Sequence, residues 1–153
     1  MAEKYEIDNL DRKILRLLQK DARMPYLEIA RKLIVSGGTI HQRMNKMIEH
    51  GIVKNTVLQL DHAKLGLDVT VLLGIHLKSA KKIAPVLKKL ESFPEVIEAH
   101  YTTGNFALLI KLCVPSIKDY HVFLTEKIQG IDEVSSTESF ICLDSPIKRE
   151  ISI

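Results

Sequence analysis

The hydrophobic period of this chain changes from about 3.6 to 2 near Leu67. Helical spacing dominates before that point, and alternating segments with two helical stretches between them follow it. A chain of 153 residues patterned in this way closes neither as a pure helix bundle nor as a single sheet. It specifies an α+β architecture, helical in its N-terminal part and sheet-forming in its C-terminal part, as one domain or two small ones.

Three helices fit the first part. Asp8 caps the first, with Asp11 at the capping-box position, and Leu10, Ile14, Leu17 and Leu18 form its buried stripe. Arg12, Lys13, Arg16 and Arg23 lie off that stripe and read as a solvated face, with Arg23 a candidate phosphate contact. Pro25 suits a first helical position, and Ile29, Ala30 and Leu33 then share one face. The pattern breaks at Ile34-Val35-Ser36. Ser36 can cap a third helix carrying Ile40, Met44 and Met47, which Gly51 closes as a C′ residue. Thr39, His41, Gln42, Arg43 and Lys46 stand between those apolar positions. Two short helices around a tight turn, the second rich in long donors, is the layout of a helix-turn-helix that reads the DNA major groove. An ordinary helical hairpin with a solvated face fits the same spacing.

Charge favours the first of these. From Met1 to Asn55 there are eleven Lys and Arg against seven Asp and Glu, and from Thr56 onward eleven against twelve. The basic excess therefore lies with the helices, as a phosphate-facing surface requires.

Ile52-Val53 and Val57-Leu58 read as a short β excursion running to Asp61-His62, ended by Leu65-Gly66. The expected organisation is a winged-helix-like unit over residues 1–53, a β linker over 54–67 and a sheet domain over 68–153. In that domain Val69, Val71, Leu73, Ile75 and Leu77 mark a strand, and Ile83, Val86, Leu87 and Leu90 a helix whose start Pro85 restricts. Val96 to Thr102 and Phe106 to Val114 are strands joined by a turn at Thr103-Gly104-Asn105. Ser116 caps a helix with Ile117, Leu124 and Ile128 inward, and Gly130 stops it. Val134 to Leu143 is the last strand, and the tail from Pro146 adds an edge. The order β-α-β-β-α-β is the ferredoxin-like arrangement. Its helices cover one sheet face, and Leu72, Ile110 and Ile141 make parts of the other face apolar, which predicts a homodimer through it.

Several function classes are excluded. No apolar run is long enough to span a bilayer, and Met1-Ala2-Glu3-Lys4 does not start a secretory leader, so the expected location is cytoplasmic, with no membrane partner. Cys113 and Cys142 read as buried free thiols rather than a disulfide or metal ligands. There is no glycine-rich phosphate loop, no metal-spaced His/Cys set and no paired nucleophile and base. His100 and His121 stand without a partner motif. The reading is a non-enzyme with no metal, catalytic residue or cofactor.

The opening Ile7-Asp8-Asn9-Leu10-Asp11-Arg12-Lys13-Ile14-Leu15 resembles the Lrp/AsnC family of transcriptional regulators. So do Glu28-Ile29-Ala30, Ser36 to Arg43, Gly51-Ile52-Val53, Leu65-Gly66, Thr102 to Asn105 and Ile131 to Glu138. The likeness is greatest to the asparagine-responsive AsnC type, in Leu77-Lys78-Ser79-Ala80-Lys81, Tyr101 to Gly104 and Ser136-Thr137-Glu138. Two departures stand out. The family usually has Gly at the position of Ile34, where a left-handed backbone is convenient, so either the turn differs here or strain is tolerated. Gly37 stands where the family often has Pro. Gly37-Gly38 either weakens the first turn of the third helix or lets the backbone approach phosphate.

The resemblance implies a sequence-specific regulator that binds double-stranded DNA as a homodimer or a higher assembly such as an octamer. Half-sites in such dimers lie about 34–36 Å apart, or multiples of it. Thr39, Gln42 and Arg43 are the candidates for base edges, and Ser36, Gly38, His41 and Lys46 for phosphate. Arg43 has an alternative reading as a partner of Glu28 or Glu49. The resemblance also implies a small amino-acid effector, asparagine or another. A zwitterion needs donors for its carboxylate and acceptors for its ammonium. Backbone N–H groups at Thr103-Gly104-Asn105 and the polar groups of Ser135, Ser136, Thr137 and Glu138 supply both kinds. On spacing alone these are ordinary turn and strand-edge residues. The family places its ligand where that turn, Leu124-Thr125 and the strand from Val134 meet a neighbouring dimer. An architectural DNA-binding protein without an effector is the alternative function.

Overall fold

The computed structural model describes residues 5–153, Ala80 by its backbone alone; Met1-Ala2-Glu3-Lys4, read above as no secretory leader, lie outside the described residues. The chain divides into two compact units. One holds the residues up to Gln59 together with Ile147–Ile153, and the other holds Leu60–Pro146.

The helical unit contains α1 (Asn9–Lys20), α2 (Tyr26–Leu33) and α3 (Gly37–Glu49). Ile14, Leu15, Ile29, Ala30, Ile40, Met44 and Met47 form its core. The capping box at the start of α1 is complete: Asp8 accepts from the N–H of Asp11, and the Asp11 carboxylate accepts from the N–H of Asp8. Pro25 is the cap of α2 and not its first residue, with extended ψ of 141°, and its carbonyl accepts from Glu28 and Ile29.

Helices α2 and α3 end alike. At α2 the N–H of Val35 reaches the Ala30 carbonyl and that of Ile34 reaches Arg31; at α3 Ile52 reaches Met47 and Gly51 reaches Ile48. Both are Schellman ends with the C′ residue left-handed. Gly51 takes that position at φ 69°, where glycine meets no steric penalty; Ile34 takes it at φ 57°, with its side chain 92% exposed. Strain is therefore tolerated at Ile34, and the turn keeps its usual geometry.

The segment expected to be a β linker contains no strand among the described residues, only a short 3-10 turn at Ala63–Leu65. Ile52 and Val53 pack on the helical core, while Val57 and Leu58 are exposed. The tail adds no edge either. Ile153 packs on the helical core, the Arg16 Nε–H donates to its carbonyl, and the Gln19 amide donates to the Ile151 carbonyl at 3.1 Å.

The sheet unit carries β1 (Val69–Leu77), α4 (Ile83–Glu91), β2 (Val96–Tyr101), β3 (Leu108–Val114), α5 (Ile117–Val122) and β4 (Val134–Ile141). The strands are antiparallel in the order β2-β3-β1-β4, the ferredoxin-like topology. Val71, Leu73 and Ile75 of β1 meet Val86 and Leu90 of α4 and Tyr120 and Phe123 of the second helical segment in one core.

Three expectations need correction. Ile117 is 56% exposed, and the buried residues are Tyr120, Phe123 and Ile128. Ile117 stands in the exposed first turn of α5, and beyond that helix a π-helical stretch, Phe123–Ile128, sets Phe123 and Ile128 five residues apart on one side of its wider turn. Gly130 does not stop that helix by a left-handed backbone; an added Cβ would lie 2.7 Å from the Glu126 carbonyl oxygen, so close approach excludes a side chain. Of the residues expected on the open sheet face, only Leu72 lies there. Ile110 and Ile141 stand opposite Leu73 and Val71 and so share the helix-covered face. Phe140 joins Leu72 on the open face, and the Phe106 ring lies over Gly74, where a Cβ would come within 2.5 Å of it.

Cys113 and Cys142 are free. Both stand opposite Thr70, so β1 separates them and a disulfide is out of reach.

Candidate nucleic-acid interface

Helix α3 is divided lengthwise. Ile40, Met44 and Met47 are buried, whereas Gly38, His41, Gln42, Asn45, Lys46 and Glu49 are exposed. Steps of about 100° per residue place Gly38, Gln42, Asn45 and Glu49 along one line, with His41 and Lys46 on either side. Asn45 was missing from the sequence reading. It sits three residues after Gln42 and four after His41, and that spacing was the available signal.

The remaining expected contacts are partly occupied. The Ser36 hydroxyl accepts from the Thr39 N–H at 3.0 Å, and the two hydroxyls lie 2.8 Å apart. His41 meets the Tyr26 ring edge-on at 4.7 Å. The carboxylate partners of Arg43 are Asp8, 2.5 Å from Nη1, and Asp11, at 3.3 Å, and not Glu28 or Glu49. Glu28 pairs with Lys32 one helical turn away, and Glu49 lies six residues from Arg43, outside the reach of helical neighbours.

This cluster ties α3 to the start of α1. Asp11 is fully buried, and its Oδ2 also accepts from the Tyr5 hydroxyl at 2.8 Å. The backbone N–H of Asp11, followed by the Arg43 guanidinium, holds the Asp8 carboxyl below its ordinary 3.8. Hydrogen bonds to Asp8 and then Tyr5 push the Arg43 guanidinium further up. Burial first, then the bond to Asp11, raises the Tyr5 phenol.

In the sheet unit, Val134, Ser135, Ser136 and Thr137 line an open depression together with Gln129, which the sequence reading missed. A helical segment ending at Ile128 and a strand starting at Val134 leave a connection so short that Gln129 stays beside the strand. Thr103, Gly104 and Asn105 form an exposed turn that does not line the depression. The Thr125 hydroxyl donates to the carbonyl of His121 at 2.9 Å. Leu124 packs on the core, and Glu138 stands opposite Gly74 on the open face. No group of three or more His, Cys, Asp or Glu among the described residues could hold a metal ion.

Two family models match the chain: an AsnC-type helix-turn-helix domain over residues 7–48 and an Lrp/AsnC ligand binding domain over residues 70–151. The chain belongs to the Lrp/AsnC family. It is 52% identical to the regulatory protein AsnC of Haemophilus influenzae over 147 residues, covering 96% of this chain and 98% of that one. The structure of AsnC from Escherichia coli superposes with a TM-score of 0.93 at 46% identity, over 97% of this chain and all of the other. A transcriptional regulator from Neisseria meningitidis, crystallised as an L-Met complex, shares the fold at 20% identity, with a TM-score of 0.88 over 97% of this chain and 96% of that one. This Lrp/AsnC member is thus a transcriptional regulator with a DNA-binding helix-turn-helix and a ligand-binding domain. Among the described residues no helix is long and apolar enough to cross a membrane.

Proposed function

We propose that the exposed line of α3 enters the major groove, with Gln42 and Asn45 reading base edges and Thr39 completing the set. Gly38, Ser36, His41 and Lys46 meet phosphates, and Arg43 acts as the clamp that fixes the pose of α3. The division of α3 into a buried apolar side and an exposed polar line carries this reading. Gln and Asn pair bidentately with adenine, at about 1–3 kcal/mol of discrimination per contact. Replacing Gln42 or Asn45 with Ala is expected to relax preference at one base position in a randomised-duplex selection. An unchanged profile for both variants overturns the assignment.

The sheet unit, in this proposal, takes a small amino acid against Val134–Thr137 and Gln129, with Thr103–Asn105, Leu124, Thr125 and Glu138 completing the site against a neighbouring copy. The depression along β4, and the L-Met bound by a protein of the same fold, support it. Leu72, Phe106 and Phe140 on the open face support a homodimer, the building block of a higher assembly such as an octamer. An effector acts there through unequal affinity for the assembled states. The protein works in the cytoplasm on double-stranded DNA, without a cofactor and without catalysis. Light scattering and calorimetry with a panel of amino acids, asparagine included, test this part. Binding that shifts the assembled mass supports it, and no heat from any amino acid defeats it.

A further inference from the structure

Nine lysines lie between Leu60 and Pro146, against eleven Asp and Glu. Three are neutralised locally: Lys64 by Asp61, Lys111 by Glu98 and Lys127 by Glu95. Five of the other six, Lys78, Lys81, Lys82, Lys88 and Lys89, fall within twelve residues that contain no Asp or Glu. All five are exposed, and none forms an ion pair among the described residues. An acidic unit therefore carries one concentrated basic patch.

The local structure explains how the lysines gather. Ile83, Val86 and Leu90 turn one side of α4 into the core. Lys81 and Lys88, and likewise Lys82 and Lys89, are seven residues apart, two helical turns or about 10 Å along the axis. Ala84 and Pro85, exposed between them, are compact and leave the surface low. The first turn of α4 has no acidic residue. Lys81 and Lys82 thus add their charge to the positive end of the helix dipole, an arrangement that works against the helix itself. A patch that its own fold neither pairs nor benefits from is suited to an anionic partner.

We propose that Lys78, Lys81, Lys82, Lys88 and Lys89 form a second phosphate-binding surface. It takes up duplex DNA flanking the segment that α3 reads, on the same copy of the chain or a neighbouring one. The inference rests on the reading of α3 as the DNA-contacting helix. The chemistry favours a duplex over a single strand, because residues 78–92 contain no aromatic side chain on which unpaired bases could stack. Lysine is a hydrated point charge that holds phosphates without discriminating bases, so the surface contributes affinity and no sequence preference.

The test uses the full chain with Lys81→Gln, Lys82→Gln, Lys88→Gln and Lys89→Gln combined. Binding to random-sequence duplexes of roughly 20 and roughly 150 base pairs is measured over a series of salt concentrations. The expected result is a loss on the order of tenfold for the long duplex only. Its logarithmic salt slope becomes shallower by about 2–4, at close to 0.9 per phosphate contact removed. An unchanged long-duplex slope overturns the proposal, as does an equal loss on both duplexes. A changed mass in light scattering assigns the lysines to a subunit contact and overturns it too. If the unaltered chain binds neither duplex, the reading of α3 fails and takes this surface with it. If the unaltered chain binds and the variant matches it, only the lysine surface fails.

Discussion

The helical unit and the sheet unit hold their cores in different ways. In the helical unit the one fully buried charged group among the described residues, Asp11, lies beside Arg43, Tyr5 and the backbone of Asp8. In the sheet unit the buried set is apolar apart from the Tyr120 hydroxyl, and the ion pairs Lys111–Glu98 and Lys127–Glu95 are partly in solvent. A sheet takes its geometry from the backbone ladder and needs little else to fix it. Three short helices can slide on an apolar core, and directional bonds remove that freedom. The difference shows where orientation matters most: the polar cluster holds α3, the helix proposed to read DNA.

The largest effect that tests this contrast is expected in the sheet unit. Leu73→Ala removes a fully buried side chain from its core and should cost about 3–4 kcal/mol, with hydrogen exchange in the helical unit unaffected. A loss below about 1 kcal/mol would mean that packing is not what holds the sheet. Next comes Arg43→Ala, which leaves Asp11 buried with its charge uncompensated and should destabilise the helical unit by about 3 kcal/mol. Lys at this position should restore only part of that, since it lacks the planar fork. Full stability of Arg43→Ala in urea unfolding would erase the distinction between the units.

Within the helical unit, the two like-shaped helix ends sharpen the comparison. Ile34→Gly relieves a left-handed β-branched residue, and should raise stability by about 0.5–1 kcal/mol after the added freedom of the unfolded chain is counted. A drop in melting temperature would show that the Ile34 side chain has a role beyond its backbone. The smallest effect concerns acid. The folded pKa of Asp8 is lowered, so its contribution is complete above its ordinary 3.8 and disappears as pH falls through the folded value. Asp8→Asn should therefore flatten the stability curve of the helical unit below about pH 4 and leave that of the sheet unit unchanged. Identical acid unfolding curves for both proteins would remove the Arg43–Asp8 pair from the account.

Periodicity made the fold legible, because helix and strand faces repeat with fixed steps: the alternation from Leu67 to Lys78 marked β1, Val69–Leu77, to within a residue or two at each end. The linker was not, since Ile52 and Val53 look the same whether they join a strand or cover a helical core. The π turn escaped for a similar reason. It adds one residue to the turn from Phe123 to Ile128, and nothing in the apolar pattern marks where that residue enters. In α3, Gln42 and Lys46 could be picked out as exposed donors. Asn45 was overlooked, and Arg43 was assigned without its partners, because Asp8 and Asp11 are more than thirty residues away along the chain. Side chains that meet across such separations are fixed by packing, which local spacing does not reveal.

The return of Ile147–Ile153 to the helical unit makes that unit discontinuous along the chain. The three helices are made before the sheet, but the piece that covers α1 follows every strand of it. The DNA-binding unit is thus completed only once the ligand-binding unit has been made, and a chain that stopped after Pro146 would have the whole sheet but an unfinished helical unit.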